Sequence, residues 1–185
     1  MRFVLCVTGA SGTPYAVRLF EVLKELGHEL ELVVSEHARL VHERELGRDL
    51  LKELKGARLH DEKNMASPLA SGSTLIKYDA VFIVPCSTST LAHLAHGTNA
   101  NLIHRIGETA LKERVPLVLL VREMPYSEVH LKNMLTLVRA GAAVLPASPA
   151  FYHGPKTLQD MIDFVVGKLL DAVRVEHHLY KRWSG

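Results

Sequence analysis

Short runs of consecutive apolar residues recur along the chain and alternate with stretches that have a helical period. The runs have the length of a strand and cover residues 3–8, 30–34, 80–85, 116–121 and 143–146. Most of them are continuous rather than alternating in polarity, which is typical of strands in a parallel sheet covered on both faces. The pattern therefore predicts a set of buried parallel strands.

The stretches between these runs carry apolar residues at the spacing of one helix face. They cover residues 15–27, 35–41, 87–95, 101–114, 127–140 and 157–174. Ser127 with Glu128, and Thr157 with Asp160, are typical helix-start signals. The alternation predicts one α/β domain over residues 1–185, with a doubly wound, Rossmann-like or flavodoxin-like parallel sheet and helices on both faces. A C-terminal helix and a short tail are expected over 157–185.

Composition and charge exclude several classes of protein. The chain is 48% hydrophobic and 23% charged, as in ordinary globular domains, and a net charge of +2 without a basic tract gives no support to a nucleic-acid partner. No run approaches the roughly 20 apolar residues of a membrane span, and we expect no signal peptide. Cys6 and Cys86 lie in or beside apolar runs and are expected to be buried thiols. The predicted location is the cytoplasm.

Residues 56–78 form the least regular part of the chain. The stretch SPLASGS (67–73) is rich in small residues, and the whole segment is longer than an ordinary connection. Long irregular loops inside compact domains are usually functional, so a functional role is expected for this segment.

The stretch VTGASGTPYAV (7–17) joins the first strand to the first helix through Gly9 and Gly12. In an open α/β sheet, ligands lie beyond the carboxyl ends of the strands, and glycines there let the backbone approach an anion at a helix N-terminus. The G-x-x-G spacing matches neither the dinucleotide fingerprint nor the Walker motif. The second strand ends at Ser35, where NAD-binding folds place a carboxylate. These features favour a mononucleotide, and a tight turn without a ligand is the alternative.

Two more loops at the same edge are polar. VPCSTST (84–90) places four hydroxyl residues, Ser87, Thr88, Ser89 and Thr90, where a strand meets a helix, although one of them would suffice as a cap. Arg122 and Glu123 directly follow the buried run PLVLLV and precede Pro125. Arginine suits a phosphate or a flavin edge, and a glutamate at the mouth of a pocket can transfer protons. A surface ion pair is the alternative for this pair.

Taken together, six stretches resemble the flavin prenyltransferases of the UbiX type, in the fold group of the homo-oligomeric flavin-containing cysteine decarboxylases. They are VTGASGTPYAVRL, MASPLASGS, VPCSTSTLAHLAHG, NLIHR, ALKERVPLVLLVREMPYSEVHLKNM and PASPAFYHGP. The resemblance implies transfer of a prenyl group from dimethylallyl monophosphate to reduced FMN, with bonds to N5 and C6 and without a metal. It also implies a dodecamer with shared sites, and delivery of the prenylated FMN to a UbiD-type decarboxylase.

The resemblance also assigns residues by motif. The implied FMN contacts are Gly9, Ala10, Ser11, Ser35, Ser87, Thr88, Ser89, Thr90 and Arg122. The implied contacts to the prenyl phosphate are Tyr152 and Lys168, from another subunit, and Lys112. The implied catalytic residues are Glu123 as acid and base, Glu45 as a second glutamate, and Ser11 near flavin N5. Trp183 matches an aromatic residue of the family's C-terminal tail, and only a short tail lid is expected.

Two other functions stay open from the sequence. One is a flavin-dependent cysteine decarboxylase of the same fold group, for which GTNAN (97–101) is a partial match to a substrate motif. The other is a non-catalytic FMN carrier for a decarboxylase. The histidine pairs His93/His96 and His177/His178 lack a third ligand for zinc and are expected to be surface or capping residues.

Overall fold

The structure, a computed structural model, describes residues 1–184 of the chain. Its strands are β1 (Arg2–Val7), β2 (Glu29–Val34), β3 (Arg58–His60), β4 (Ala80–Cys86), β5 (Leu117–Val121) and β6 (Ala143–Pro146). Its α-helices are α1 (Thr13–Glu25), α2 (Glu36–Leu46), α3 (Leu50–Glu53), α4 (Gly72–Leu75), α5 (Thr88–His96), α6 (Leu102–Glu113), α7 (Glu128–Arg139) and α8 (Leu158–Ala172). Gly185, the last residue of the predicted domain, lies outside the described residues.

The strands form one parallel sheet in the order β3-β2-β1-β4-β5-β6. This confirms the predicted doubly wound fold, and the order is that of a Rossmann sheet. The short edge strand β3 and the helix α3 were not predicted. The β3 sequence, Arg58-Leu59-His60, has no apolar run, and Leu59 is exposed at the edge of the sheet.

Each face of the sheet has its own hydrophobic core. Side chains from alternate positions of the strands, among them Leu5 and Phe82, pack with α1 and α8 on one face. The other alternate positions, among them Cys6 and Ile83, pack with α5, α6 and α7 on the opposite face. Both thiols are free and fully buried, as predicted, and burial raises the pKa of the Cys86 thiol to about 12. Burial on both faces explains the continuous apolar runs.

The predicted helix starts at Ser127 and Thr157 are confirmed. Each residue caps its helix through its side-chain oxygen, and each takes part in a reciprocal capping box. The partner of Thr157 is Asp160, as the sequence indicated, whereas the partner of Ser127 is His130 rather than Glu128.

The segment 56–78 is more regular than predicted. SPLASGS contains a 3-10 turn at Pro68–Ala70 and leads into α4, and Leu69 is buried against α6. The Ala70 carbonyl accepts hydrogen bonds from Arg105 Nε at 3.3 Å and from Thr109 Oγ1 at 3.4 Å. The small residues therefore allow close packing on α6, a packing role that was not predicted.

The strand order reverses between the neighbouring strands β1 and β4. The chain leaves β1 towards β2 on one side, and it leaves β4 towards β5 on the other side. Loops after neighbouring strands diverge at such a point and leave a crevice at the carboxyl edge of the sheet. The helices α1 and α5 begin at this crevice. Within residues 1–184, no helix has the length and apolar character needed to cross a membrane.

Candidate functional site

A cavity of about 310 Å³ lies at the carboxyl edge of the sheet, at this reversal of strand order. It is lined by Thr8, Gly9, Ser35, His37, Glu62, Ser87, Thr88, Ser89, Thr90, Asn101 and His104. Two larger depressions, of about 580 and 620 Å³, lie beside α2 and have many charged side chains. The smaller cavity is the candidate site because the loops after β1, β2 and β4 all reach it.

Thr8 joins the β1 and β4 loops. Its buried hydroxyl donates to the Pro85 carbonyl at 2.7 Å and accepts from the Ser87 backbone N–H at 2.8 Å. The two loops therefore hold a fixed separation at the floor of the cavity. This role was not predicted, because a lone threonine at the end of a strand has no distinctive sequence signal.

The hydroxyl residues after β4 begin helix α5. Ser87 is the cap: its Oγ accepts from the Thr90 backbone N–H at 3.2 Å and donates to Thr90 Oγ1 at 3.1 Å. Thr88 and Ser89 also line the cavity but are not needed for this cap. Ser35 caps α2 in the same way, by accepting from the Ala38 N–H at 3.0 Å, which leaves its own hydroxyl proton free to donate.

The two glycines of the β1–α1 loop are needed for different physical reasons. A Cβ on Gly9 would lie 2.5 Å from His37 Cβ, so Gly9 allows α2 to approach the loop closely. Gly12 has φ of +112°, in the left-handed region that favours glycine, and it caps α1 without a side-chain hydrogen bond. In the first turn of α1, Pro14 has no N–H and the Tyr15 N–H donates to the Gly12 carbonyl at 3.1 Å, which leaves the Thr13 N–H for an anion. Gly9 therefore serves packing rather than only the approach of a ligand.

Gly9→Ala should destabilise the protein by about 1–3 kcal/mol, because the added methyl group overlaps with the Cβ of His37. It should also weaken FMN retention, since the loop must move away from α2. Urea unfolding and the flavin absorbance of the purified protein would measure the two effects.

Gly27→Ala is a matched control for this change. Gly27 has φ of +76° and no atom within 4 Å of an added Cβ, so only the backbone strain of about 1 kcal/mol should appear. Equal flavin loss in both variants would show that the contact between Gly9 and His37 does not shape the site.

Arg122 brings the end of β5 to the β1–α1 loop. Its Nε donates to the Ser11 carbonyl at 3.1 Å, and its side chain is half-buried. Glu123, also half-buried, accepts from the Met124 backbone N–H through Oε1 at 3.0 Å. The structure thus joins Arg122 to the loop that contains Gly9 of the cavity lining, but Ser11, Arg122 and Glu123 do not themselves line the cavity.

Tyr152 lies in an aromatic cluster next to α8. Its ring meets those of Phe164 and Trp183 edge to face, at 5.7 and 5.6 Å between centroids. Lys168 lies on α8, half-exposed, with Nζ 3.5 Å from Asp171 Oδ2. These residues do not line the cavity of their own chain.

Glu45 and Lys112 also lie apart from the cavity of their own chain. Glu45 is exposed near the end of α2, ten residues after Ser35 and therefore about 15 Å along the helix axis. Lys112 is exposed near the end of α6, about 12 Å along the axis from His104, and pairs with Glu113. They can reach a flavin site only if it belongs to a neighbouring copy, as the predicted sharing of sites requires.

Several cavity residues were missed by sequence reasoning, namely Thr8, His37, Glu62, Asn101 and His104. Glu62 lies in the segment 56–78 and hydrogen-bonds to the N-terminal ends of two helices, α2 and α6. Its Oε1 accepts from the Glu36 backbone N–H at 2.7 Å, and its Oε2 accepts from Asn101 Nδ2 at 3.2 Å. The carboxylate is therefore already hydrogen-bonded within the protein. The only available signal was Asn101 as the cap of α6.

His104 is a neutral buried donor behind the cavity. Burial and, to a smaller extent, the adjacent His93, whose ring stacks at 4.1 Å, together lower the pKa of His104 to about 4. The Ala100 backbone N–H donates to Nδ1 at 3.2 Å, which puts the ring proton on Nε2, 3.4 Å from Thr90 Oγ1.

His177 is also buried, against Asp171, so the expectation of a surface position was wrong for this histidine.

The free energy of unfolding should fall as the pH drops from about 6.5 to about 4, because only the unfolded chain protonates His104 in that range. Between pH 7 and pH 5, His104→Gln should reduce this fall by up to about 2 kcal/mol. Urea unfolding at pH 7 and pH 5 would measure it, with the exposed His178→Gln as control. An unchanged pH dependence in His104→Gln would contradict the buried neutral state.

The residues present fit a flavin mononucleotide. The cavity offers the free hydroxyl donor of Ser35 and the hydroxyls of Thr88 and Ser89, and Arg122 supplies a cation at the adjoining β1–α1 loop. Such donors suit a phosphate group and the carbonyl oxygens of a flavin ring. Within residues 1–184, no group of three or more His, Cys, Asp or Glu side chains could hold a metal ion.

Comparison with known proteins agrees with this geometry. The family model described as Flavoprotein matches residues 1–170. The flavin prenyltransferase UbiX of Aquifex aeolicus is 57% identical over 187 residues, which cover 100% of this chain and 99% of the relative.

Two solved structures share the fold over nearly their full lengths. AnUbiX (PadA1), in complex with FMN and dimethylallyl pyrophosphate, is 37% identical with a TM-score of 0.93, over 100% of this chain and 97% of that one. The dodecameric FMN-dependent UbiX-like decarboxylase of Escherichia coli O157:H7 is 36% identical with a TM-score of 0.93, over 100% of both chains. The chain therefore belongs to the UbiX family of flavin prenyltransferases.

Proposed function

We propose that this protein joins a dimethylallyl group from dimethylallyl monophosphate to N5 and C6 of reduced FMN and so makes prenylated FMN. The observation that carries the proposal is the donor-rich cavity at the switch point, with Arg122 joined to the Ser11 loop beside it. The identity of 57% to a flavin prenyltransferase over the whole chain supports the same reaction. When bound, reduced FMN supplies the two nucleophilic positions.

The cavity residues hold the FMN. The β1–α1 loop, with Gly9, Ala10 and Ser11, contributes backbone donors, and Ser35 and residues 87–90 contribute hydroxyls. Arg122 reaches the same loop and adds a fixed positive charge. The bonds of Thr8 to both loops keep these donors in place before the ligand arrives. Preorganised donors stabilise charge without the cost of reorienting water.

A separate group of residues binds the phosphate of the prenyl substrate. Tyr152 and Lys168 of a neighbouring copy supply a hydroxyl and a cation, and Lys112, also from a neighbouring copy, supplies a further cation. An allylic C–O bond breaks more easily when its leaving phosphate is stabilised by positive charge and hydrogen bonds. The half-exposed Lys168 leaves N–H groups available for this contact.

Glu123 transfers the proton. Its contact with the Met124 backbone N–H holds one carboxylate oxygen, and the other oxygen carries the proton. It protonates the departing phosphate or takes up the proton lost at C6 when the new ring closes. Ser11 contributes a hydrogen bond near N5, and Glu45 of a neighbouring copy is the second glutamate of the site.

The decisive experiment incubates the protein anaerobically with reduced FMN and dimethylallyl monophosphate and then determines the mass of the bound flavin. We expect a flavin heavier by one prenyl unit. A parallel sample receives dimethylallyl pyrophosphate, the compound named for the AnUbiX complex, and we expect the monophosphate to react faster. Unmodified FMN after long incubation with the monophosphate would overturn the proposal.

A decarboxylase is the second candidate, because the E. coli neighbour is described as an FMN-dependent UbiX-like decarboxylase. The same experiment therefore includes samples with a phenylacrylic acid and with a peptide that ends in cysteine. Release of carbon dioxide by the protein with FMN alone would favour this candidate. We expect release only when the prenylated product is passed to a UbiD-type decarboxylase, the proposed recipient.

The proposed assembly is a homo-oligomer of twelve chains, as in the dodecameric neighbour. It is supported by exposed apolar side chains after β5, on α7 and around the Tyr152 loop: Met124, Val129, Leu131, Leu135, Val138, Phe151 and Leu158. Exposed apolar groups in such number are typical of interfaces. Light scattering should give the mass of twelve chains. Leu131→Glu should reduce this mass, whereas Thr136→Glu on the same helix should not.

The proposed location is the cytoplasm, which suits the two free thiols.

A further inference from the structure

Asp171, near the end of α8, accepts hydrogen bonds from the segment that follows the helix. Oδ1 accepts from His177 Nε2 at 3.1 Å and from Arg182 Nη2 at 2.8 Å. Oδ2 accepts from the Tyr180 hydroxyl at 2.5 Å and lies 3.5 Å from Lys168 Nζ. One carboxylate thus joins three residues of the tail and one lysine of the helix. We call residues 175–183 the tail strap.

Gly167 makes room for the tail strap on α8. A Cβ at this position would lie 2.5 Å from Tyr180 Cε1 and 2.7 Å from His177 Cε1. A glycine destabilises the interior of a helix relative to alanine, so its presence here has a packing reason. The strap rests in this notch, and Asp171 binds it one helical turn further along.

The far end of the tail strap reaches Tyr152. The Trp183 ring meets the Tyr152 ring at 5.6 Å and 83°, and Tyr152 packs in turn on Phe164 of α8. The Tyr180 ring also packs on Phe164, at 4.8 Å. The strap therefore connects Asp171 to Tyr152, while the same carboxylate contacts Lys168 directly.

Asp171 stays charged in this setting. Burial alone would raise the pKa of Asp171, but hydrogen bonds from Arg182, Tyr180 and His177 outweigh it and hold the pKa well below its usual range. Because three tail donors occupy the carboxylate at shorter distances, Lys168 keeps only a long contact to it. The lysine is oriented by Asp171 without being neutralised by a close ion pair.

We propose that Asp171 is a positioning residue that latches the tail strap to α8 and thereby orients Tyr152 and Lys168 to bind the phosphate of the prenyl substrate. The identity of that ligand rests on the proposed function, whereas the latch itself does not. A loss of the latch should weaken binding of the phosphate and leave the FMN cavity intact, because no strap residue lines that cavity.

The test compares Asp171→Asn with Asp163→Asn. Asp163 is a matched control, because it lies on the same helix, is similarly buried and binds Arg18 at 2.7 Å rather than the strap. Trp183 is the single tryptophan of the chain, so its fluorescence anisotropy reports whether the strap is docked. In Asp171→Asn we expect lower anisotropy and a KM for dimethylallyl monophosphate raised by about tenfold, with a smaller change in kcat and normal FMN content.

Tyr180→Phe is a milder second variant, since it removes one donor and keeps the ring in the Gly167 notch. It should give smaller changes of the same kind. Unchanged anisotropy in Asp171→Asn would refute the latch, and lower anisotropy with an unchanged KM would refute the positioning role. Equal changes in Asp163→Asn would assign the effect to general destabilisation and also overturn the proposal. If the wild-type protein transfers no prenyl group, the proposed function fails, while the anisotropy comparison still decides the latch.

Discussion

Glu123→Gln is expected to slow prenyl transfer by about two to four orders of magnitude while FMN binding stays at the wild-type level. Glutamine has nearly the same shape, and its amide oxygen can still accept the Met124 backbone N–H that Glu123 accepts at 3.0 Å. The turn after β5 should therefore be preserved. Only the ability to give and take a proton is lost.

The measurement is a single-turnover rate, followed by the appearance of prenylated flavin after rapid quenching. Glu128→Gln is the control, because Glu128 is an exposed glutamate on α7 that pairs with Lys132 and lies outside the site. It should react at the wild-type rate. If Glu123→Gln also turned over normally, the proton would have to be moved by another group, with Glu45 of a neighbouring copy as the next to test.

The fold could be predicted well from the sequence where burial dictates the residue pattern. The continuous apolar runs of β1, β2, β4 and β5 identify strands covered on both faces, and the run of β6 identifies an edge strand that is only partly buried. Strand β3 has no such run, because an edge strand of three residues is stabilised by pairing with β2 and not by burial of its side chains. Tertiary pairing of this kind leaves little trace in a local pattern.

The candidate site could be predicted only in part. Loops that follow buried strands are easy to locate, so Ser35 and residues 87–90 were found, and the structure places them in one cavity. Glu62 and His104 reach the same cavity from distant parts of the chain, and each is a single polar residue in an unremarkable setting. Their contribution depends on the path of the crossovers, which a local pattern does not contain.

The assignments of Glu45 and Lys112 illustrate a different limit. For these two residues the motif resemblance does not say which copy of the chain supplies them to a site. In the structure both are exposed at the far ends of helices that begin at the cavity. Their predicted roles therefore depend on the assembly, whereas those of Ser11 and Arg122 are supported by a contact within one chain.

Arg122→Ala is expected to weaken FMN binding by about a hundredfold. The change removes the bond from Nε to the Ser11 carbonyl, which holds the β1–α1 loop, and it removes a cation whose hydrogen bonds to a charged ligand each contribute about 1.5–3 kcal/mol. Arg122→Lys should recover part of the affinity, because it restores the charge without the planar fork.

Titration of the flavin-free protein with FMN, followed by the quenching of flavin fluorescence, would measure these affinities. Arg139→Ala is the matched control: Arg139 is exposed at the end of α7, far from the loop, and its loss should leave the affinity unchanged. Wild-type affinity in Arg122→Ala would show that the contact to Ser11 serves only the fold. A different result is a large loss of affinity in Arg122→Ala with full recovery in Arg122→Lys. This result would assign the whole effect to charge, and the geometry of the Arg122–Ser11 contact would have no part in binding.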